Sequence, residues 1–537
     1  MKRRSLLVAA VLLVAAVLAW GGTAWADQSS AQIDPSVVTE LAAVGNGGSV
    51  PVIVYATPGH LADLTTELGA ANVDDSLALI GAVSTDVSPD TIDDVAALPY
   101  ADYVAADSPT FGTDYASSLD VTNATIGLGA IAPPAPVGTG YDGAGVGVAV
   151  LDSGSADVPD LDGANGQSRV VAFVDFVNGR RRMYDDGGHG TFVDGIIAGN
   201  GASSLPIDQN GKATTQYRGV APAADIVSLK VLDKHGDGRA SSLVAAVAWA
   251  IAHRQQFDIR VMNISVEGNI TCPAAYDPVD RAVDAAWRAG IVVVCAAGNE
   301  GAFGEGGVLS PGNDPYAITV GAADTQQSAD PGDDAVCTYS SVGPTQFDEY
   351  AKPDLVAPGN HIVSLRAPDS WVDRNYPQTR WPVSNYVPGA SPWAQSAYAV
   401  MSGTSAAAPV VAGAAALMVE QDPTLTPGEV KLRLMDSARP IAASDRYAAG
   451  AGELDVAAAL NDHSTTTGYD PSAKLGNGTT ILPVDVQLQW QRYGWSRYAW
   501  SRYAWSRYSW SRYGWSRYAW SRYTWSRYSW SIVVNGE

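Results

Sequence analysis

Cysteine is scarce in this chain: three residues in 537, Cys272, Cys295 and Cys337. An odd number excludes complete pairing within one molecule. Cys295 ends a continuous apolar run and is expected as a buried free thiol. Cys272 and Cys337 lie in loop-like sequence, where pairing and non-pairing stand equally open. Basic residues are also short, 33 against 56 acids, for a net charge of −23. That deficit excludes nucleic acid as a partner of the body, because phosphate binding rests on a surplus of cations. Apolar runs long enough to span a membrane are lacking beyond the N-terminus. Histidine is rare too, with six in all, and one of them lies in Gly188-His189-Gly190-Thr191.

What is present starts with a leader. Lys2-Arg3-Arg4 is a basic n-region, residues 6–20 are apolar, and Ala24-Trp25-Ala26 is an A-x-A site. Residues 1–26 therefore read as a secretory signal peptide cleaved near Ala26, with an uncleaved anchor as the alternative. The mature protein is then expected to be secreted or cell-surface associated. Residues 27–112 follow as a small α+β unit in the order β-α-β-α-β: a strand at 52–55, helical character over 60–70, weak alternation over 77–87, a helix opened by Ser88 as N-cap, and an extended piece at 103–107. This suits a propeptide or a ferredoxin-like binding domain. Residues 113–139 are polar and irregular, a linker.

The pattern then changes. Five apolar runs, 145–151, 226–232, 260–265, 291–297 and 317–321, alternate with helical stretches such as 242–253 and 278–289. Runs apolar on both faces, interleaved with helices, predict a parallel sheet covered on both sides. Reactive groups in such sheets gather at the carboxyl ends of strands, where Asp152 and Asn299 fall. Met401-Ser402-Gly403-Thr404-Ser405 runs into an Ala-rich helix, with Pro409 expected in its first turn. Thr426-Pro427-Gly428-Glu429 is a capping box. The body ends near residue 461, and 462–489 is a second linker. From 490 to 532 the chain repeats Trp-Ser-Arg-Tyr-x, with eight arginines against the single acid Glu537 nearby.

Serine is a poor nucleophile alone. It needs a base, the base needs an acid to fix its tautomer, and the developing oxyanion needs donors. Ser405, His189, Asp152 and Asn299 can supply these roles in turn. Each piece alone is weak, since a lone Ser before a helix is usually a cap and a lone His is usually structural. Together, in the order Asp, His, Asn, Ser, they carry a resemblance. The motifs Asp152-Ser153-Gly154, His189-Gly190-Thr191, Ala297-Gly298-Asn299 and Gly403-Thr404-Ser405-Ala406-Ala407-Ala408-Pro409 resemble those of the subtilisin-like serine proteases, the subtilases of peptidase family S8. Gly219-Val220-Ala221-Pro222 and Lys352-Pro353-Asp354 add lesser matches.

That resemblance covers residues 140–461 and implies a doubly wound parallel sheet of seven strands between helices. It implies a secreted serine endopeptidase that acts through an acyl-enzyme, with Ser405 as nucleophile, His189 as base and acid, Asp152 orienting it and Asn299 binding the oxyanion. It implies that the backbone of Ser265, Val266, Glu267 and Gly268 pairs with a substrate strand, and that Ala296, Ala297 and Gly298 wall the S1 pocket. Residues 27–112 become a self-inhibiting propeptide, cut between Asp107 and Asp120. Partners are then protein or peptide substrates and the chain's own propeptide. No cofactor is required for the chemistry. Structural calcium is common in the family, but the acidic loop Asp157–Asp162 is no proof of a site.

Several positions depart from the family pattern. Phe192 and Val410 replace histidines and Ala406 a methionine, which suggests a drier surround. Asp194 replaces a small residue. Glu267 replaces a glycine, and its carboxylate is read either as a pocket-rim group favouring basic or polar substrate side chains or as a solvated loop charge. Residues 367–397, with Trp371, Trp381 and Trp393, form an insertion that either gates the site or decorates the surface. The tail is open to docking on the acidic body, to an anionic cell-envelope polymer or glycan, or to a membrane interface. A low-complexity segment without a partner is the plainer reading. The rival from another class is a surface-binding protein whose tail is the active part and whose protease domain is degenerate.

Overall fold

Apolar runs without polar alternation need cover on both faces, and the chain provides it. The computed structural model describes residues 31–465 apart from 45–47, 70, 113–116, 119–139, 205–215, 388, 392 and 442–443. The leader and the repeat tail lie outside the described residues.

The N-terminal unit is a five-stranded sheet. Its elements are β1 (Gln32–Ile33), α1 (Pro35–Val44), β2 (Val50–Ala56), α2 (Leu61–Leu68), β3 (Asp75–Leu77), β4 (Ala82–Val87), α3 (Ile92–Ala96) and β5 (Ala101–Ala106), with strand order β1-β5-β2-β4-β3. Val52, Val54 and Val104 face its own core, while Ile53, Tyr55, Leu77 and Tyr103 face the body. Two short strands follow, β6 (Pro109–Gly112) and β7 (Ser117–Ser118).

The body is built on β8 (Gly147–Asp152), β9 (Val170–Asp175), α4 (His189–Ala198), β10 (Asp225–Lys230), β11 (Gly238–Arg239), α5 (Ala240–His253), β12 (Ile259–Ile264), β13 (Val266–Gly268), α6 (Pro278–Arg288), β14 (Val292–Ala296), β15 (Ile318–Asp324), β16 (Ala335–Val336), β17 (Leu355–Pro358), β18 (Ile362–Leu365), α7 (Trp371–Asn375), β19 (Tyr398–Met401), α8 (Thr404–Gln421), α9 (Pro427–Asp436) and α10 (Val456–Asn461). Strands β9, β10, β8, β12, β14, β15 and β17 pair in parallel in that order, and β16 adds an antiparallel edge. Val148 and Val150 point to one face, with α4 and α8, and Ala149 and Leu151 to the other, with α5 and α6. That double burial is why these strands read as unbroken apolar runs.

All five runs are strands. Two further strands carry no such run in the sequence: β9, a half-buried edge strand, and β17, which directly follows Lys352-Pro353-Asp354. There Lys352 and Lys431 hold the buried Asp354 at 2.7 and 3.1 Å, and Asp354 accepts the Thr319 N–H. The capping box at Thr426 and Glu429 is present. Ser88 is not the cap of α3: Thr91 holds that position, and the Ser88 N–H donates to Thr91 Oγ1.

The disulfide left open between Cys272 and Cys337 is not formed; all three cysteines are free and buried. Cys337 packs in the core on the α4–α8 side. Cys272 instead lies among groups of the N-terminal unit, near Asp34 and Tyr55.

Candidate active site

Asp152 is the last residue of β8, at the carboxyl end of the central strand, and is buried. His189 opens α4. The turn before it uses Gly188 at φ 108°, a left-handed conformation that glycine adopts without strain. Gly190 is fixed by space: a Cβ there would stand 2.1 Å from the Gly154 carbonyl oxygen. His189 Nδ1 lies 2.7 and 2.8 Å from the two Asp152 carboxylate oxygens, and the imidazole is fully buried. A carboxylate only accepts, so Nδ1 carries the proton and Nε2 is the basic end. Asp185 ties the loop together, accepting from Ser153 Oγ, Gly188 N–H, and both Thr191 N–H and Oγ1.

Ser405 is the second residue of α8, and α8 packs against α4. The helix begins two residues earlier than the sequence suggests, so Pro409 falls in its second turn rather than its first. Proline has no N–H, so Ser405 loses its ordinary intrahelical partner at the carbonyl. Ser265 Oγ donates to that carbonyl at 2.9 Å and itself accepts from Asn263 Nδ2 at 2.8 Å. The apparent helix fault is thus a fixed link between the Ser405 turn and the end of β12. Phe192, Ala406 and Val410 are fully buried in the surrounding core, which bears out the drier surround.

Asn299 follows β14. Its Oδ1 accepts from Thr404 N–H at 2.9 Å, which turns the amide so that Nδ2 is the donor end. Thr404 Oγ1 also accepts from Gly298 N–H at 3.1 Å. Thr404 therefore aligns the Asn299 loop with the Ser405 turn. The sequence reading passed over it, although it sits inside the Gly-Thr-Ser motif. Asp185 was likewise passed over, and its signal was an Asp-Asp-Gly-Gly run before His189.

Beside these residues lies a cleft with two backbone rails, β11 and β13. The chain's own β6 lies between them, antiparallel to both: Phe111 pairs with Glu267, Gly112 with Val266, and Thr110 with Gly268 and Gly238. Residues Val266, Glu267 and Gly268 are thus beside an extended segment, as a substrate strand would require, while Ser265 is engaged with the Ser405 carbonyl. Ala296 and Ala297 are buried, and the Ala297 carbonyl accepts from Leu309 N–H. Asp107, just before β6, accepts from Ser241 N–H and Oγ at 2.8 and 2.6 Å and so caps α5 from outside the helix.

Glu267 is not a solvated loop charge. It is 6% exposed, and a Cβ placed on Gly298 would stand 3.2 Å from its Oε2. Burial, with Glu300 nearby, pushes its carboxyl up to about 8. Asp194, one helical turn past His189, is fully buried. Burial raises its carboxyl well above the ordinary range, opposed by a 2.5 Å bond from Ser155 Oγ. With its folded pKa raised, this acid favours folding at low pH and costs stability as pH rises above its unfolded value. Asp194→Asn is expected to raise Tm at pH 8 by a few degrees, with the gap closing near pH 4, as thermal unfolding across pH would show.

The Trp-bearing insertion touches the histidine loop at one point. Trp371 and Val372 N–H groups donate to the carbonyls of Asp186 and Gly187. Further on it walls a cleft of about 640 Å³ that includes Arg366, Asp373, Trp381 and the 91%-exposed Trp393. None of Asp152, His189, Asn299 or Ser405 lines it. Within the acidic loop, Asp160 is engaged by Ser203 and Tyr398 hydroxyls. Among the described residues no group of three or more His, Cys, Asp or Glu is arranged to hold a metal ion, and no helix is long and apolar enough to cross a membrane.

Comparison with known proteins agrees with this geometry. Residues 143–478 match the model of the subtilase family, peptidase S8. Serine protease AprX of Bacillus subtilis (strain 168) is 39% identical over 319 residues, 58% of this chain and 66% of the relative, so the chain spans slightly under two thirds of that protein. Subtilisin DY of Bacillus licheniformis is 32% identical over 321 residues, 59% of this chain and 93% of the relative. Among solved structures, fervidolysin of Fervidobacterium pennivorans, described as a keratinolytic enzyme related to subtilisin, superposes with a TM-score of 0.59 at 22% identity over 82% of this chain and 64% of its own, a likeness of fold. By the family match over most of its length, the chain belongs to the subtilase family, the subtilisin-type serine endopeptidases.

Proposed function

We propose that the chain is a secreted endopeptidase made as a self-inhibited precursor, with Ser405 as nucleophile, His189 as general base and then acid, Asp152 as its partner and Asn299 as oxyanion donor. The observation that carries this reading is the His189–Asp152 pair at 2.7 Å, with His189 on a helix that packs against the Ser405 helix, and with Thr404, next to Ser405, donating its N–H to Asn299. Ser405 Oγ attacks the scissile carbonyl and gives its proton to His189 Nε2. The imidazolium is steadied by Asp152, 2.7 Å from Nδ1. The oxyanion receives hydrogen bonds from Asn299 Nδ2 and the Ser405 N–H, at a helix N-terminus that favours negative charge. His189 then protonates the leaving amine, and water, activated by the same base, releases the acyl group. Activity falls at acidic pH as His189 takes up a proton.

Residues 27–112 act as the propeptide. The placement of β6 between the rails supports inhibition in the manner of a bound substrate strand. The processing cut falls between Asp107 and Asp120, the stretch that contains β6 and β7. The leader 1–26 directs export. The repeat tail 490–532 is proposed to bind an anionic polymer, glycan or membrane interface through its arginines and tryptophans.

The test is Asn299→Ala and Asn299→Asp. The first removes the donor. The second keeps an acceptor for Thr404 N–H but aims an anion at the oxyanion. Both should lower kcat by roughly 10²–10³-fold with KM little changed. Full kcat in Asn299→Asp would sink the oxyanion role.

A further inference from the structure

We propose that Glu267 sets the specificity of the S1 pocket and selects a cationic side chain, arginine or lysine, on the residue that supplies the scissile carbonyl. This rests on the protease reading above and adds a substrate class to it.

Several other buried acids are answered by a cation or a donor, although Asp194 and Asp354 also keep one buried oxygen without a partner among the described residues. Asp354 has two lysines, Asp160 has hydroxyls and Arg169, Asp107 has Ser241 and Asp280 has Asn313. Glu267 Oε2 is buried with no hydrogen-bond partner among the described residues. A buried acid without a partner is costly in its ionised form, and each such group asks for an explanation. Among the described residues no lysine or arginine answers this one. The charged groups that face it are Glu300, from the loop after β14, and His189, from α4. Glu300 is a second acid, and it adds to the burial that holds the Glu267 carboxyl in its protonated form.

The position is that of a substrate side-chain pocket. The Glu267 backbone is a rail of the cleft, paired with Phe111 of β6. Its side chain turns to the opposite wall, where Gly298 sits at φ 101°. A Cβ on Gly298 would meet Ser341 Oγ at 2.9 Å, Leu309 Cγ at 3.2 Å and Glu267 Oε2 at 3.2 Å. Gly298, one residue from Asn299, is thus packed closely by these three groups, and its lack of a side chain is what admits the carboxyl against that wall. A group entering there meets the Leu309 side chain, which suits an aliphatic stem, and then a carboxyl with an unused oxygen. A guanidinium or ammonium on such a stem satisfies both. An apolar side chain would leave the acid buried and unmatched.

The charge state sharpens the expectation. The Glu267 carboxyl, pushed up to about 8 by burial, is mostly protonated at neutral pH and ionises on the alkaline side. A cation in the pocket holds the ionised form. Preference for a cationic side chain therefore rises with pH.

The test uses the processed full chain and a pair of peptides that differ only in arginine against citrulline, its neutral isostere, at the position before the cut. Wild type should favour arginine in kcat/KM by about tenfold or more, and the ratio should grow from pH 6.5 to pH 9. In Glu267→Gln the ratio should fall to near one and lose its pH dependence. A wild-type ratio near one, or a ratio unmoved in Glu267→Gln, overturns the inference. The wild-type ratio stands as evidence even if the variant fails to fold. A fluorophosphonate probe reports the catalytic serine without regard to this pocket. If wild type takes the probe but ignores the charge, only the specificity fails. If it neither takes the probe nor cleaves, the protease reading fails and takes this one with it.

Discussion

Ser405→Ala should lower kcat by about a million-fold and leave the chain joined to its N-terminal unit. The substitution removes one oxygen from a residue that is 1% exposed. The backbone link from Ser265 Oγ to the Ser405 carbonyl does not depend on that oxygen, so α8 keeps its start and its packing. The variant should therefore fold and accumulate as intact precursor, with β6 still between the rails. Mass measurement of the purified protein, with a sensitive peptide assay beside it, checks both parts. Residual hydrolysis far above the uncatalysed rate is expected from the oxyanion donors, but processing at the wild-type rate is not.

Asp152→Asn should cost roughly ten-thousand-fold in kcat with the geometry nearly kept. The reason is a tautomer. Asp152 accepts from His189 Nδ1 through both oxygens, and one of them also accepts from Ser153 N–H. An asparagine satisfies the Ser153 N–H with its oxygen and presents its NH₂ to Nδ1. The imidazole then carries its proton on Nε2 and cannot take one from Ser405. A structural role alone would show as a lower Tm with kcat largely kept. The account expects the reverse, and measuring both on the same preparation separates them.

The parts of this molecule legible in the sequence are those whose partners lie close in the chain or on both faces. The five apolar runs could be read because every side chain in them is covered. The capping box of α9 could be read because Thr426 and Glu429 are three residues apart. The four candidate site residues could be read because each carries a short glycine-bearing motif. What escaped depends on distant segments. β6 escaped notice, since its strand character comes from β11 and β13, more than a hundred residues on. β9 has only a half-buried pattern at the sheet edge. The start of α8 was misjudged because Pro409 seemed to mark the first turn; Ser265, far upstream, makes a proline in the second turn tolerable. Glu267 stayed open between a pocket-rim group and a loop charge because nothing local shows that Gly298 faces it.

The most direct test of the central claim is the site of covalent capture. Wild-type enzyme treated with a fluorophosphonate, digested and sequenced by mass spectrometry should carry one adduct, on Ser405, formed in step with loss of peptidase activity and absent from Asp152→Asn over the same time. An adduct on another serine, or full activity with Ser405 unmodified, would contradict the account.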